Sequence, residues 1–168
     1  MNIWRKFETL VKPWMLVVIF IIVLLFGFWQ EGRADQVNAE IGPTFLSGEF
    51  SKAAALIVNQ TWDNKWRVGM GYVSSQEVTP RKEPLTEIRA NLFVHGQRVV
   101  KITENFDLGL GIGYFNATTR WNGSHFVASM SLEYSLTDRW DIRFRHFSNA
   151  GSASPNMGQD MLTIGYRF

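Results

Sequence analysis

From about residue 37 to the last residue, apolar and polar side chains alternate along the chain. Phe106, Leu108, Leu110, Ile112 and Tyr114 share one parity against Asp107, Gly109, Gly111 and Gly113. Farther on, Phe126, Ala128, Met130, Leu132 and Tyr134 oppose Val127, Ser129, Ser131 and Glu133. Period-two alternation is the signature of strands, whose successive side chains point to opposite faces. The pattern predicts eight strands: Val37 to Leu46, Lys52 to Trp62, Trp66 to Ser75, Leu85 to His95, Phe106 to Phe115, His125 to Leu136, Arg139 to Ser148 and Asp160 to Phe168. Each is close to the roughly 9 to 11 residues that a tilted strand needs to cross a bilayer. The first two alternate least clearly.

The polar rows carry charge. The fourth segment sets Ile88, Ala90, Leu92 and Val94 against Glu87, Arg89, Asn91 and Phe93. Apolar side chains outside and charged ones inside make a membrane barrel. Glu87, Arg89, Asp107, Glu133, Arg143, Arg145 and Arg167 are then expected in a narrow lumen, paired with one another and leaving no water-filled pore. A soluble lipocalin-like barrel would bury the apolar row instead, and parity alone does not choose between them.

Three other marks favour the membrane. Arg5, Lys6 and Lys12 precede the apolar run Trp14 to Trp29, and Gly32-Arg33-Ala34 places small residues where a signal peptidase cuts. Residues 1–34 are therefore expected to be a cleaved secretory signal and 35–168 the barrel. The rival, an uncleaved anchor helix, would use a run shorter than the roughly 20 residues that span a bilayer. Trp62, Trp66, Phe106, Tyr134, Trp140 and Phe168 lie beside turns on one side, as an interfacial aromatic girdle does. The final strand, ending Tyr166-Arg167-Phe168, resembles the signal by which outer-membrane barrels are recognised by the barrel-assembly machinery.

With an even strand count both termini are periplasmic. The turns near Asp63-Asn64, Gly96 to Asn105 and Thr137-Asp138 are expected on that side. The connections near Ser47 to Ser51, Gln76 to Pro84, Asn116 to Ser124 and Asn149 to Gln159 are expected outside. Composition narrows the chemistry further. There is no cysteine, which excludes a disulfide scaffold and a zinc-thiolate site, and a net charge of +2 does not suggest nucleic acid. No metal-ligand cluster stands out, and no cofactor is expected. His95 and His125 stand at predicted strand ends without acidic or serine partners and read as girdle or turn residues. Gly109, Gly111 and Gly113 alternate within a strand, so they leave room in a crowded lumen or permit curvature rather than cradle a nucleotide.

One group of residues breaks the apolar rows. His146 and Ser148 continue the row Ile142, Phe144, and Asp160 heads the row Leu162, Ile164, Tyr166, Phe168. A histidine, a serine and a carboxylate are thus gathered at the loop ends of neighbouring strands, facing lipid at the outer rim. These are the members of a hydrolytic triad.

Arg145-His146-Phe147-Ser148-Asn149-Ala150, then Pro155-Asn156, Gly158, Asp160 and the ending Gly165-Tyr166-Arg167-Phe168 resemble the carboxyl-terminal motif of the lipid A 3-O-deacylases of the PagL type. That family consists of eight-stranded outer-membrane barrels that remove the ester-linked acyl chain at position 3 of lipid A. The close match covers about 25 residues. The resemblance implies Ser148 as nucleophile, His146 as general base and Asp160 as third member, where the family usually has glutamate. It also implies Asn156 and the Gly151 N–H as oxyanion donors, with Asn149 in support. Lipid A in the outer leaflet of a Gram-negative outer membrane would be the substrate, among outer-membrane lipids. Arg81-Lys82 would be either a solvated pair or a contact for lipid A phosphates, and a homodimer is left open.

Two alternatives remain. A non-enzymatic small barrel serving adhesion or surface protection would explain the strands but not the His146, Ser148, Asp160 cluster. A barrel acyltransferase would need an acyl pocket in the lumen, against which the charges of Arg143 and Arg145 near the rim argue.

Overall fold

The computed structural model describes residues 34–46, 49–78, 86–88, 90–117, 123–152 and 158–168. Residues 1–33, which hold most of the expected signal, lie outside them, as do Arg81, Lys82, Arg89 and Asn156.

Among the described residues ten strands follow in order: β1 Ala34–Leu46, β2 Glu49–Trp62, β3 Trp66–Val73, β4 Gln76–Val78, β5 Thr86–Ile88, β6 Asn91–Lys101, β7 Phe106–Phe115, β8 Phe126–Ser135, β9 Trp140–Ser148 and β10 Gln159–Arg167. Eight of them close an antiparallel barrel in the order β1-β10-β9-β8-β7-β6-β3-β2, and β4 pairs with β5 as a separate two-stranded ribbon. Closure leaves the barrel no unpaired edge, as hydrocarbon demands.

The fourth predicted strand is displaced. Thr86–Ile88 belongs to the ribbon, and the barrel strand runs on to Lys101, through half of the turn expected at Gly96 to Asn105. The parity was right, since Asn91, Phe93, His95, Gln97 and Val99 are buried while Leu92, Arg98 and Val100 are exposed. An outward arginine at position 98 interrupts the apolar row and disguises the second half of the strand. Arg98 lies over the Trp66 ring, 5.0 Å from its centroid, a contact that lets the guanidinium reach an interface while its stem covers apolar surface. Glu87, placed in the ribbon, does not join the barrel wall.

The expected inversion is present: Ile41, Leu56, Val58, Leu92, Leu110, Ile112, Leu162 and Ile164 are exposed, while Glu40, Arg67, Glu133, Asp141, Arg143 and Arg145 are buried. At the end with the short turns, Trp66, Tyr134, Trp140 and Phe168 are exposed, and Tyr166 meets both Trp140 and Phe168 edge-on at 4.9 and 5.2 Å. The tightest of these turns uses Asp63 and Asn64 at φ 51° and 49°, the left-handed region that short Asx side chains tolerate.

The lumen is filled in two layers. In the first, Arg143 bridges Glu133 and Glu40, Arg67 meets Glu133, and Arg145 reaches both Glu40 oxygens at 3.1 and 3.2 Å. Arg167 of the last strand donates to Asp141 at 3.1 Å and to Glu133 at 2.9 Å. Glu133, Arg143, Arg145 and Arg167 thus meet as predicted, but through Glu40, Arg67 and Asp141, which the pattern did not single out. Gly109 faces this layer where a Cβ would collide with the Ser131 hydroxyl and the Gln97 side chain, so the crowding inferred for that glycine is real.

The second layer lies at the long-loop ends of the strands: Leu46, Ala55, Ile57, Val73, Phe93, Phe115, Val127, Phe147 and Met161 pack there as one cluster. The rings of Phe93, Phe115 and Phe147 lie 5.1 to 5.3 Å apart. The interior beneath the long-loop rim is therefore apolar and tightly packed, not charged as the positions of Arg143 and Arg145 suggested. Closely packed aromatic rings obstruct a lumenal acyl pocket as effectively as charges would.

Candidate active site

The site is built on β9, β10 and the connection between them. In the β9–β10 ladder Asp160 stands directly opposite His146, and Met161 opposite Arg145. Alternation then separates functions by face: Arg145, Phe147 and Met161 are buried in the lumen, while His146, Ser148 and Asp160 share the outward parity and are partly exposed.

His146 Nδ1 lies 2.6 Å from Asp160 Oδ1. A carboxylate can only accept, so Nδ1–H donates, and in the neutral ring Nε2 carries the lone pair. Directly opposed residues have Cβ atoms about 4.5 to 5.5 Å apart, which explains how an aspartate, one methylene shorter than glutamate, still reaches the ring. The His146 and Asp160 side chains are 37% and 19% exposed, so the pair is accessible from outside the barrel while partly covered by its neighbours.

Ser148 ends β9, two residues beyond His146 on the same face, opposite Ala128 of β8. Its Oγ accepts the Ala150 N–H at 3.1 Å. The chain then turns sharply: Ala150 and Gly151 take φ 52° and 77°, Ser152 N–H donates to the Asn149 carbonyl at 2.9 Å, and Gly151 N–H donates to the buried Asn149 Oδ1 at 3.0 Å. The Gly151 N–H implied as an oxyanion donor is thus directed at Asn149. Such side chain to backbone bonds are the ordinary use of asparagine in turns.

Gly158, just ahead of β10, stands beside the imidazole. Its φ is +70°, and a Cβ there would lie 2.8 Å from His146 Cε1. The sequence motif contains this glycine, but its contact with the histidine depends on the path of the connection and could not be read from spacing.

The remaining histidines differ from the expectation in part. His95 is no girdle or turn residue: it is buried in the lumen, with Nε2 2.9 Å from Asn59 Oδ1 and its ring beside Phe93 and Phe147. Its misplacement follows from the displaced β6. His125 does lie at a strand end, beside Tyr114. Among the described residues no group of three or more histidine, aspartate or glutamate side chains could hold a metal ion.

Fold and site together define an eight-stranded barrel of the outer-membrane type, carrying on its outward rim a carboxylate-oriented histidine beside a serine. The model of the family described as lipid A 3-O-deacylase (PagL) matches residues 55–168, and the chain belongs to that family. Among solved structures, the outer membrane enzyme PagL is similar at 18% identity and a TM-score of 0.52, covering 79% of this chain and 98% of that one. A de novo designed transmembrane β-barrel is similar at 10% identity and 0.53, covering 83% and 100%. The Yersinia pestis outer membrane protein Ail in a phospholipid nanodisc follows at 16% and 0.49, covering 79% and 99%. At these identities the likeness is one of fold. No curated protein matches.

Proposed function

We propose that this chain hydrolyses the 3-O-linked acyl ester of lipid A by a serine mechanism, in the outer leaflet of a Gram-negative outer membrane. The observation that carries the reading is the 2.6 Å His146–Asp160 pair on the membrane-facing wall, with Ser148 next along the same face.

The long-loop end is the extracellular end, by the rule that short turns face the periplasm. Residues 1–34 act as the secretory signal, and the terminal strand is read by the barrel-assembly machinery during insertion. Lipid A presents its ester laterally from the bilayer. Ser148 Oγ attacks the carbonyl carbon while His146 Nε2 takes the hydroxyl proton, and Asp160 stabilises the resulting imidazolium. The tetrahedral intermediate collapses as the bond from the acyl carbon to the sugar O3 breaks, and the imidazolium returns its proton to O3. Water then attacks the acyl-serine with His146 again as base, releasing a 3-hydroxy fatty acid and free Ser148.

The developing oxyanion needs donors, each worth about 2.7 to 4 kcal/mol in such sites. Asn156 and the Gly151 N–H are the candidates. For Gly151 to serve, its N–H must exchange the Asn149 Oδ1 for the oxyanion, so Asn149 holds the turn in register until substrate arrives.

Mass spectrometry of lipid A from Gram-negative cells expressing the chain tests the reading. Loss of one 3-hydroxyacyl group with the parent, and not with Ser148→Ala at equal outer-membrane abundance, is the expected result. Unchanged lipid A with folded parent protein would favour a non-enzymatic surface barrel.

A further inference from the structure

The long-loop rim of β7 and β8 carries a second built feature on the same face as Ser148. His125 stacks on Tyr114 with ring centroids 5.3 Å apart and planes at 15°, and Phe126 meets Tyr114 edge-on at 5.1 Å. The group is fixed to the backbone from both sides. His125 Nδ1 lies 2.8 Å from the Phe115 carbonyl, and the Phe115 N–H donates to the His125 carbonyl at 2.9 Å.

Because a carbonyl only accepts, His125 Nδ1 carries the proton and Nε2 of the neutral ring presents a lone pair. His125, Tyr114 and Phe126 are each partly exposed. Tyr114 pairs with Phe126, and Ala128, two residues below Phe126, pairs with Ser148. Strands are about 4.8 Å apart and rise about 3.4 Å per residue. Phe126 therefore stands roughly 8 Å from Ser148 along the barrel wall, toward the loops.

We propose that the Tyr114–His125 stack and Phe126 form a saccharide subsite, which holds the glucosamine ring of lipid A whose O3 ester enters at Ser148. This rests on the deacylase reading above. A sugar ring has apolar C–H faces that lie against aromatic planes and polar hydroxyl and amide edges that donate hydrogen bonds. A fixed lone pair beside exposed rings matches both. An acyl chain would gain nothing from the acceptor. The height also fits: the cluster lies loopward of the ester-cleaving residues, where the headgroup begins.

The test compares two substrates in the same detergent micelles: lipid A, and the p-nitrophenyl ester of a 3-hydroxy fatty acid, which has no sugar. The variants are Tyr114→Leu, which removes the stack, and His125→Phe, which keeps a ring and removes the acceptor. Heat-modifiable mobility on electrophoresis verifies that each barrel is folded. The expected result is a KM for lipid A raised about threefold to tenfold, with kcat on lipid A and both constants on the sugar-free ester unchanged. An equal loss on both substrates, or unchanged KM for lipid A, overturns the subsite. A parent protein that cleaves the sugar-free ester but not lipid A overturns the deacylase reading and the subsite with it, and that outcome is seen before any variant is made.

Discussion

Asp160 and His146 face each other directly across the β9–β10 ladder, and their side chains meet at 2.6 Å on the outward wall of the barrel. The carboxylate fixes which imidazole nitrogen carries the proton. Asp160→Asn keeps the shape but offers an amide that can donate to Nδ1 and hold the wrong tautomer. Lipid A deacylation by that variant is expected to fall by about two to four orders of magnitude in kcat. Asp160→Glu, which keeps the carboxylate and lengthens the side chain by one methylene, is expected to stay within about tenfold of the parent, with the tenfold corresponding to roughly 1.4 kcal/mol of barrier. Equal losses in both variants would show that the carboxylate does not act through tautomer and orientation.

Gly158 combines a φ of +70° with a position that leaves no room for a Cβ beside His146 Cε1. In Gly158→Ala the new methyl would occupy space 2.8 Å from that atom, so the imidazole has to swing away from Asp160 or the connection has to open. The expected outcome is a kcat lowered at least about tenfold, as small misplacements of catalytic groups typically cause, with KM little changed and the barrel still heat-modifiable. Full activity in this variant would mean that the connection moves aside freely and does not position the base.

Glu133 is touched by Arg67, Arg143 and Arg167. Replacing it with alanine leaves two buried guanidinium groups, Arg67 and Arg143, and the half-buried Arg167 short of a counter-charge. A loss on the order of 3 to 5 kcal/mol is expected in urea unfolding from lipid vesicles. Because this layer is separated from the rim by the aromatic one, activity per folded molecule should remain. A stability change below about 1 kcal/mol would mean that the remaining carboxylates, Glu40 and Asp141, take up the charge.

Phe147 lies between His146 and Ser148 in sequence and points the opposite way, into the cluster with Phe93 and Phe115. Truncation to alanine is expected to cost about 3 to 5 kcal/mol, through lost burial and the cavity left behind. It should also lower activity per folded molecule, since the strand holding the candidate site loses its anchor. If stability fell while specific activity did not, the β9 rim would be held by its ladder alone.

Much of this was legible in the chain because alternation reports which face a side chain takes. Phe106–Phe115 was bounded to the residue, and the shared face of His146, Ser148 and Asp160 followed from parity. Contacts across the lumen were not legible. Glu40 and Arg67 lie in β1 and β3 and meet Arg143 and Glu133 only because the barrel closes, and no local pattern carries that information. The displaced β6 has a different cause: an outward arginine stacked on Trp66 imitates the end of a strand. Gly158 stood in the motif, but its role depends on where a connection returns.

The central claim is that Ser148 is the activated nucleophile. A fluorophosphonate reacts with serines whose hydroxyl is activated by a neighbouring base and leaves ordinary serines unmodified. Incubation of the purified, detergent-folded protein, followed by peptide mass spectrometry and a lipid A assay on the same sample, is predicted to give one adduct, on the peptide containing Ser148. Deacylation should disappear in proportion to labelling, and His146→Ala should not label. Retained deacylation with Ser148 fully modified, or lost deacylation with the adduct on another residue, would contradict the account.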